Sequence, residues 1–339
     1  MTTIRDVAHK LHLSITTVSR ALDGYDDVAA ETRERVIAAA RDLGYVPSRA
    51  ARQLRRKRAE AIGFILPTWQ PRFSDPFFAE LIAGLGDEAA SQHFDLLVAS
   101  AAPGLEEKNA YQRWVQSRRV DGIILARTRL DDWRARFLAD LHFPFVAYGR
   151  TRLPEDIYPH IGVDGLAGVR TLVAHLVERG HQRIGFVGAP DDLTFQADRL
   201  AGYVEGLAAA SLGISEELVV EGNLTREGGY RAGQQLLALP QPPSAIIGIN
   251  DLTAIGVMRA ARERGLVVGR DVAVAGFDGV EEAAHSDPPL TTMNHPTYDL
   301  ARQAVRMLLA LVSGEPPVVT RILVQPELIV RASTGLTGE

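Results

Sequence analysis

The segment from Ser14 to Arg20, SITTVSR, joins a residue suited to start a helix with short polar side chains and one guanidinium. Serine is a favoured N-cap, because its side-chain oxygen accepts from the free N–H groups of a first helical turn. On a helix beginning at that point, Ile15, Thr16, Thr17, Ser19 and Arg20 make up the outward face. Such side chains can reach base edges and phosphates when the helix enters a DNA major groove. The chemistry implied is recognition, with no catalytic residue assigned. Motifs for turnover are missing: the chain has no Gly-x-Ser-x-Gly elbow, no His-Glu-x-x-His pair and no Gly-x-x-x-x-Gly-Lys phosphate loop. Its nine histidines are scattered and cysteine is absent, so neither a metal site nor a cofactor is expected.

A reading helix needs a scaffold, and the neighbouring residues supply one. Ile4, Val7, Ala8 and Leu11 recur at helical spacing, as do Val18, Ala21 and Leu22 after a short break. That pattern predicts two short helices sharing a small core. A third amphipathic helix follows, with Val36, Ile37, Ala40 and Leu43 expected on its inner stripe and Gly44 at its end. An ordinary three-helix bundle would explain the apolar stripe but not the polar run on the outer face. Asp26 and Asp27 lie in the loop before the third helix, where they would oppose a phosphate backbone unless they point away.

Charge divides the chain in the same place. Of 37 Lys and Arg and 42 Asp and Glu in total, residues 1–58 carry 12 and 7, leaving 25 and 35 for the rest. The basic end and the acidic body are what electrostatic attraction of one end to nucleic acid requires. A chain of 339 residues with 46% hydrophobic content is long enough for two further lobes after this end. Strand-like runs begin near 61, 94, 120, 143, 183, 244 and 272, separated by amphipathic stretches. The alternation predicts an α/β body with mostly parallel sheets and right-handed crossovers. The absence of cysteine, of an apolar run of membrane-spanning length and of a signal-peptide pattern leads us to expect a cytoplasmic protein with no membrane partner.

The residues Asp6-Val7-Ala8, Ser14, Thr17-Val18-Ser19-Arg20-Ala21-Leu22, Thr32-Arg33, Val36, Ala39, Leu43-Gly44-Tyr45, Pro47, Ala51 and Leu54 together resemble the head of the lactose-repressor/galactose-repressor (LacI/GalR) family of bacterial regulators. The likeness extends along nearly the whole chain and is dense at HLVERGHQRIGFVG, DRLAGY, INDLTAIGVMRAARERGLVVGRDVAVAGFD and PPLTT. It departs from the family in the turn before the second helix, where His12 stands in place of the common glycine; histidine tolerates positive φ better than most residues.

The resemblance implies a helix-turn-helix head over 1–47, a hinge or linker over 48–60 and an effector-binding body over 61–339. That body would resemble a two-lobed periplasmic sugar-binding protein, one lobe spanning about 61–161 plus 292–316 and the other about 162–291 plus 317–339. Thr3, Ser14, Ile15, Thr16, Thr17, Ser19, Arg20, Thr32, Arg49, Ala51 and Leu54 become the expected DNA contacts. Leu54 would wedge into the minor groove and the arginines of SRAARQLRRKR would meet phosphates, although a basic run is also an ordinary solvated linker. For the effector, Arg199, Asn250 and Asp278 match the family's polar contacts, with Asp75, Phe77, Phe78, Arg127, Asp164 and Leu224 as further candidates. Each has a plainer reading: Asn250 and Asp164 as helix caps, the two phenylalanines as core. Leu224 takes a place where relatives carry a stacking ring, which favours a sugar over a purine, and ARTR with GNLT leans toward an α-glucoside. The expected whole is a homodimeric repressor of sugar-utilisation genes that binds operator DNA under effector control. The alternatives are a regulator answering to a nucleoside, purine or other metabolite, and a sugar carrier that binds no DNA.

Overall fold

The computed structural model describes residues 2–45, 58–68, 75–154, 158–315 and 317–335. The chain divides into two compact units, residues 1–60 and 61–339.

The first unit contains α1 (Ile4–Leu11), α2 (Ile15–Leu22) and α3 (Ala30–Asp42) around Val7, Ala8, Val18, Ala21, Val28, Val36, Ala39 and Ala40. Thr3 and Asp6 lock the start of α1, the Thr3 backbone N–H and hydroxyl both donating to the Asp6 carboxylate at 2.7 and 2.9 Å. His12 takes a left-handed φ of 54° in the turn. Ser14 then caps α2, its oxygen accepting from the Thr17 N–H at 3.0 Å. Ser14→Ala should therefore cost the head about 1 kcal/mol, read as faster hydrogen exchange at the Thr17 and Val18 amides. Two expected positions are reversed. Ser19 is buried, its hydroxyl turned to Asp23 at 3.3 Å, because it falls on the side of α2 that meets the other helices. Ile37 is 44% exposed, the inner positions of α3 being taken by Val36, Ala39 and Ala40.

The second unit is built on two six-stranded sheets. In the first, β1 (Ala61–Pro67) is buried along its whole length between β2 (Asp95–Ala101) and β3 (Gly122–Leu125), and β4 (Phe145–Tyr148), β5 (His160–Val163) and β11 (Arg321–Val324) continue the parallel order outward. In the second, β7 (Val219–Glu221), β6 (Ile184–Gly188), β8 (Ala245–Gly248), β9 (Ala273–Asp278) and β10 (Thr291–Asn294) run parallel, and β12 (Glu327–Ile329) closes the edge antiparallel to β10. Strands buried on both faces require helices on both sides, which explains continuous apolar runs such as AIGFILP. The first lobe carries α4 (Pro76–Ser91), α5 (Leu105–Gln116), α6 (Trp133–Asp140) and α12 (Thr297–Ser313); α7 (Gly165–Glu178), α8 (Thr194–Ala209), α9 (Arg226–Leu236), α10 (Asp251–Glu263) and α11 (Glu281–His285) belong to the second.

The lobe boundaries expected from sequence need correction. Residues 162 and 163 finish β5 in the first sheet, β10 lies in the second although 292–294 was expected in the first lobe, and β11 returns to the first although 317–339 was expected in the second. The physical reason is strand pairing: β11 aligns Arg321 to Val324 on His160 to Val163, and β10 aligns Thr291 to Asn294 on Ala275 to Asp278. The chain thus crosses between lobes three times, after β5, after β10 and after β11.

Two charge clusters stiffen the first lobe. Glu88 on α4 is buried and accepts from Arg302 at 3.0 Å and Arg306 at 2.9 Å on α12, which hold its carboxyl below the usual range. Gly84 allows that helix pair to close, since a Cβ there would come within 2.3 Å of the Tyr298 carbonyl oxygen. Beneath the loop after β3, Glu107, Asp132, Arg129 and Arg134 form a buried and charge-balanced network.

Candidate functional site

In the head, Ile15 is 46% exposed and Thr16 and Arg20 are exposed beside it, so α2 presents an outer face. Thr17 is half-buried, its hydroxyl sharing a 2.8 Å hydrogen bond with that of Ser14. Thr3 is exposed at the start of α1, and Thr32 is half-buried in the first turn of α3. Arg49, Ala51 and Leu54 lie outside the described residues. Arg20 is not idle: its guanidinium stacks over Tyr25, 5.0 Å from the ring centre, and forms an ion pair with Asp27. Asp27 is thereby turned to this arginine, which accounts for one of the two loop carboxylates.

In the body, seven of the nine candidate effector residues line one cleft: Asp75, Phe77, Arg127, Arg199, Leu224, Asn250 and Asp278. The cleft lies between the two lobes and encloses about 860 Å³ including its mouth. Many of its residues come from the carboxyl ends of strands and the loops that follow, where open parallel sheets present ligand-facing groups, and others from the first turns of helices such as α4 and α8. Arg127 follows β3, Tyr148 ends β4, Asn250 follows β8, Asp278 ends β9 and His295 follows β10. Arg127, Leu224 and Asp278 all have positive φ, at 46°, 58° and 109°. Such conformations are costly for residues other than glycine and gather where a side chain must be aimed at a ligand.

Two candidates stand elsewhere. Phe78 is 1% exposed and belongs to the first lobe's core, because the turn that starts α4 points it inward while Phe77 faces the cleft. Its ring instead supports Arg127, whose guanidinium lies 4.7 Å from its centre. Asp164 caps α7, accepting from the Ala167 N–H at 2.9 Å and from the Gln325 side chain at 2.9 Å. Asn250 does both things its position allows. Its Oδ1 accepts from the Thr253 N–H at 3.0 Å to start α10, and the residue also lines the cleft.

Electrostatics organise the lining into three pairs. Arg127 meets Asp75 at 2.5 Å, Arg199 meets Asp278 at 3.0 Å, and Arg150 reaches from the first lobe to Asp198 on α8 at 2.8 Å. Burial raises the Asp75 carboxyl and lowers the Arg127 guanidinium from their ordinary values. For Asp278, burial acts upward, but Arg199 and the ring of His295 at 3.5 Å outweigh it, and the carboxyl is held below the usual range. Arg199 is also fixed by donating to the Ile249 carbonyl and by the ring of Phe277, 3.6 Å from its carbon centre. Its Nε–H is buried and meets no acceptor among the described residues. Phe77, Tyr148, Phe195, Leu224 and Leu323 supply the apolar walls.

Sequence reasoning did not single out Tyr148, Arg150, Thr194, Phe195, Asp198 or His295. Asp198 adjoins Arg199 in DRLAGY and could have been read with it. Arg150 follows the fourth strand by two positions, a place where loop residues face a cleft. His295 carried no signal, because β10 was not recognised as a strand. Among the described residues, no group of three or more His, Asp or Glu could hold a metal ion, and no helix is long and apolar enough to cross a membrane.

Comparison with known proteins gives a consistent result. Residues 3–48 match bacterial regulatory proteins of the lacI family, and residues 173–334 match a periplasmic binding protein-like domain. The HTH-type transcriptional repressor CytR of Escherichia coli (strain K12) is 34% identical over 332 residues, covering 98% of this chain and 96% of that protein. A solved complex of the transcriptional regulator CelR with cellobiose superposes with a TM-score of 0.77 at 31% identity, over 98% of this chain and 100% of that one. The lac repressor dimer bound to operator and the anti-inducer ONPF gives a TM-score of 0.84 at 29% identity, over 99% of each chain.

Proposed function

This chain belongs to the lacI family of bacterial regulatory proteins, and from that premise we propose that it represses sugar-utilisation genes under the control of an uncharged sugar. Membership makes it a DNA-binding transcriptional regulator with a fold like that of the lac repressor. The finer reading concerns what the cleft accepts. The observation that carries it is the charge balance of the lining: Arg127, Arg150 and Arg199 each already face a carboxylate, from Asp75, Asp198 and Asp278. An anionic ligand would have to displace a carboxylate from a partly buried pair, whereas hydroxyls can both donate to the carboxylates and accept from the guanidinium groups. The Arg199 Nε–H and the Asn250 amide are further donors for such oxygens. Phe77, Phe195 and Leu224 offer flat and apolar surface to the C–H faces of a sugar ring. The bound cellobiose of the CelR complex supports a glycoside, and the runs ARTR and GNLT incline the choice to an α-glucoside.

The proposed working unit is a cytoplasmic homodimer on a two-fold symmetric operator, as the lac repressor dimer on its operator suggests. Each head would present Ile15, Thr16, Thr17 and Arg20 to base edges and phosphates. Effector binding in the cleft would then bias the geometry of the body, and couplings of this kind are typically about 1–3 kcal/mol. A thermal-shift screen tests the ligand class. A matching neutral di- or monosaccharide at about 100 times its dissociation constant should stabilise the chain by about 2.7 kcal/mol, and the corresponding sugar phosphate should not. Stabilisation by a nucleoside or by the phosphate alone would overturn the sugar reading.

A further inference from the structure

Along one rim of the cleft the two lobes are joined by main-chain hydrogen bonds. The loop after β3 runs antiparallel to the segment that leads into α8, with Arg129 opposite Leu193. The Leu130 N–H donates to the Asp192 carbonyl at 2.8 Å, and the Thr194 N–H donates to the Thr128 carbonyl at 3.0 Å. This is a fragment of sheet formed between residues of different lobes. Side chains extend it along the rim: the Thr194 hydroxyl donates to the Arg150 carbonyl at 2.7 Å, and Arg150 pairs with Asp198 one turn further along α8.

The first-lobe side of this contact is rigid for a clear reason. Arg129 donates to both Glu107 oxygens, at 2.9 and 3.2 Å, and its backbone N–H donates to Asp132 at 3.0 Å. Arg134, fully buried, grips Asp132 at 2.6 Å and donates to the Arg127 carbonyl at 3.0 Å. Two guanidinium groups and two carboxylates thus hold the backbone of 127–132 from below. From the side, Thr128 packs on Gly149, where a Cβ would come within 2.4 Å of its hydroxyl oxygen. The second-lobe side is fixed by Leu193, which is completely buried in that lobe's core.

We propose that residues 128–130 and 192–194 form a latch that holds the two lobes together along this rim of the cleft. Ligand exchange then requires the latch to open, so its strength sets how readily the cleft admits an effector. The regulatory consequence rests on the reading of the cleft as the effector site; the latch itself does not, so the two can fail separately.

The test is hydrogen exchange on the full-length chain without DNA or any added small molecule, read at the Leu130 and Thr194 amides. Both should be protected. Thr194→Pro removes one of the two donors at little cost to α8, because proline is favoured at a first helical position and Leu193, at ψ 130°, already has the extended backbone that proline asks of its predecessor. It should speed Leu130 exchange roughly fivefold or more. Thr194→Val, which keeps the N–H and loses only the hydroxyl, should leave Leu130 far closer to the unaltered chain. Rapid exchange of both amides in the unaltered chain would overturn the proposal, and so would equal Leu130 protection in the proline and valine variants.

Discussion

Replacing Asp278 by alanine should destabilise the folded body by about 3–5 kcal/mol at neutral pH, the usual consequence of leaving a buried guanidinium without its carboxylate. Arg199 has no easy alternative: its remaining bond is to the Ile249 carbonyl, and it is stacked on Phe277. Alanine also has to adopt the φ of 109° that Asp278 holds at the end of β9, so Asp278→Asn, which keeps the shape and an acceptor oxygen, should lose less. The pH dependence has a definite sign. Because Arg199 and His295 outweigh burial and depress this carboxyl in the folded state, its contribution is present above the unfolded value of about 3.9 and is lost as pH falls through the lower folded value. The gap in unfolding free energy between the unaltered chain and Asp278→Asn should therefore be level across neutral pH and narrow only below about pH 4. The same variants should abolish the sugar-induced thermal shift while the head still binds DNA. Unchanged stability together with an unchanged shift would remove Asp278 from both roles.

The second large effect belongs to the head. Arg20→Ala should weaken binding to DNA selected from a random duplex library by about 1–3 kcal/mol, the range for a good side-chain contact with a base. That corresponds to roughly 5- to 150-fold in affinity. The ion pair with Asp27 makes a companion prediction possible. In the described residues, Arg20 must exchange Asp27 for a base or a phosphate, so Asp27→Ala should strengthen binding and raise its dependence on salt, because one acidic charge leaves a surface that approaches the phosphates. Affinities measured by fluorescence anisotropy at two salt concentrations would decide it. If Arg20→Ala bound selected and scrambled duplexes as the unaltered chain does, the outer face of α2 would not be the reading surface.

Local patterns were legible wherever one element carried its own signal. The N-cap at Ser14, the end of α3 near Gly44, and strands such as AIGFILP and VAVAGFD follow from capping and from continuous burial. Strands β5, β7, β10, β11 and β12 were not foreseen. They are short, three or four residues each, and acquire their identity from the partner they align with. The same limitation explains the lobe boundaries, since no run of apolar residues reveals which of two sheets will receive Arg321 to Val324. Ser19 and Ile37 show it on a smaller scale: a helical stripe narrows the buried face to within a residue, and packing chooses between neighbours.

The amino-acid sequence by itself determined a basic three-helix head and an acidic α/β body, because helix periodicity, caps and strand ends are set by near neighbours along the chain, and its resemblance to the family pointed to five of the polar residues that line the cleft, Asp75, Arg127, Arg199, Asn250 and Asp278. Tertiary structure alone decided that Phe77 faces the cleft while Phe78 supports Arg127 from the core. It also decided that Arg20 is held by Asp27, that Arg150 crosses to Asp198, and that residues 128–130 find 192–194. These pairings join groups distant in sequence or on different elements, and their energies depend on distance and burial, quantities that exist only once the helices of the head, or the sheets and helices of the body, have packed.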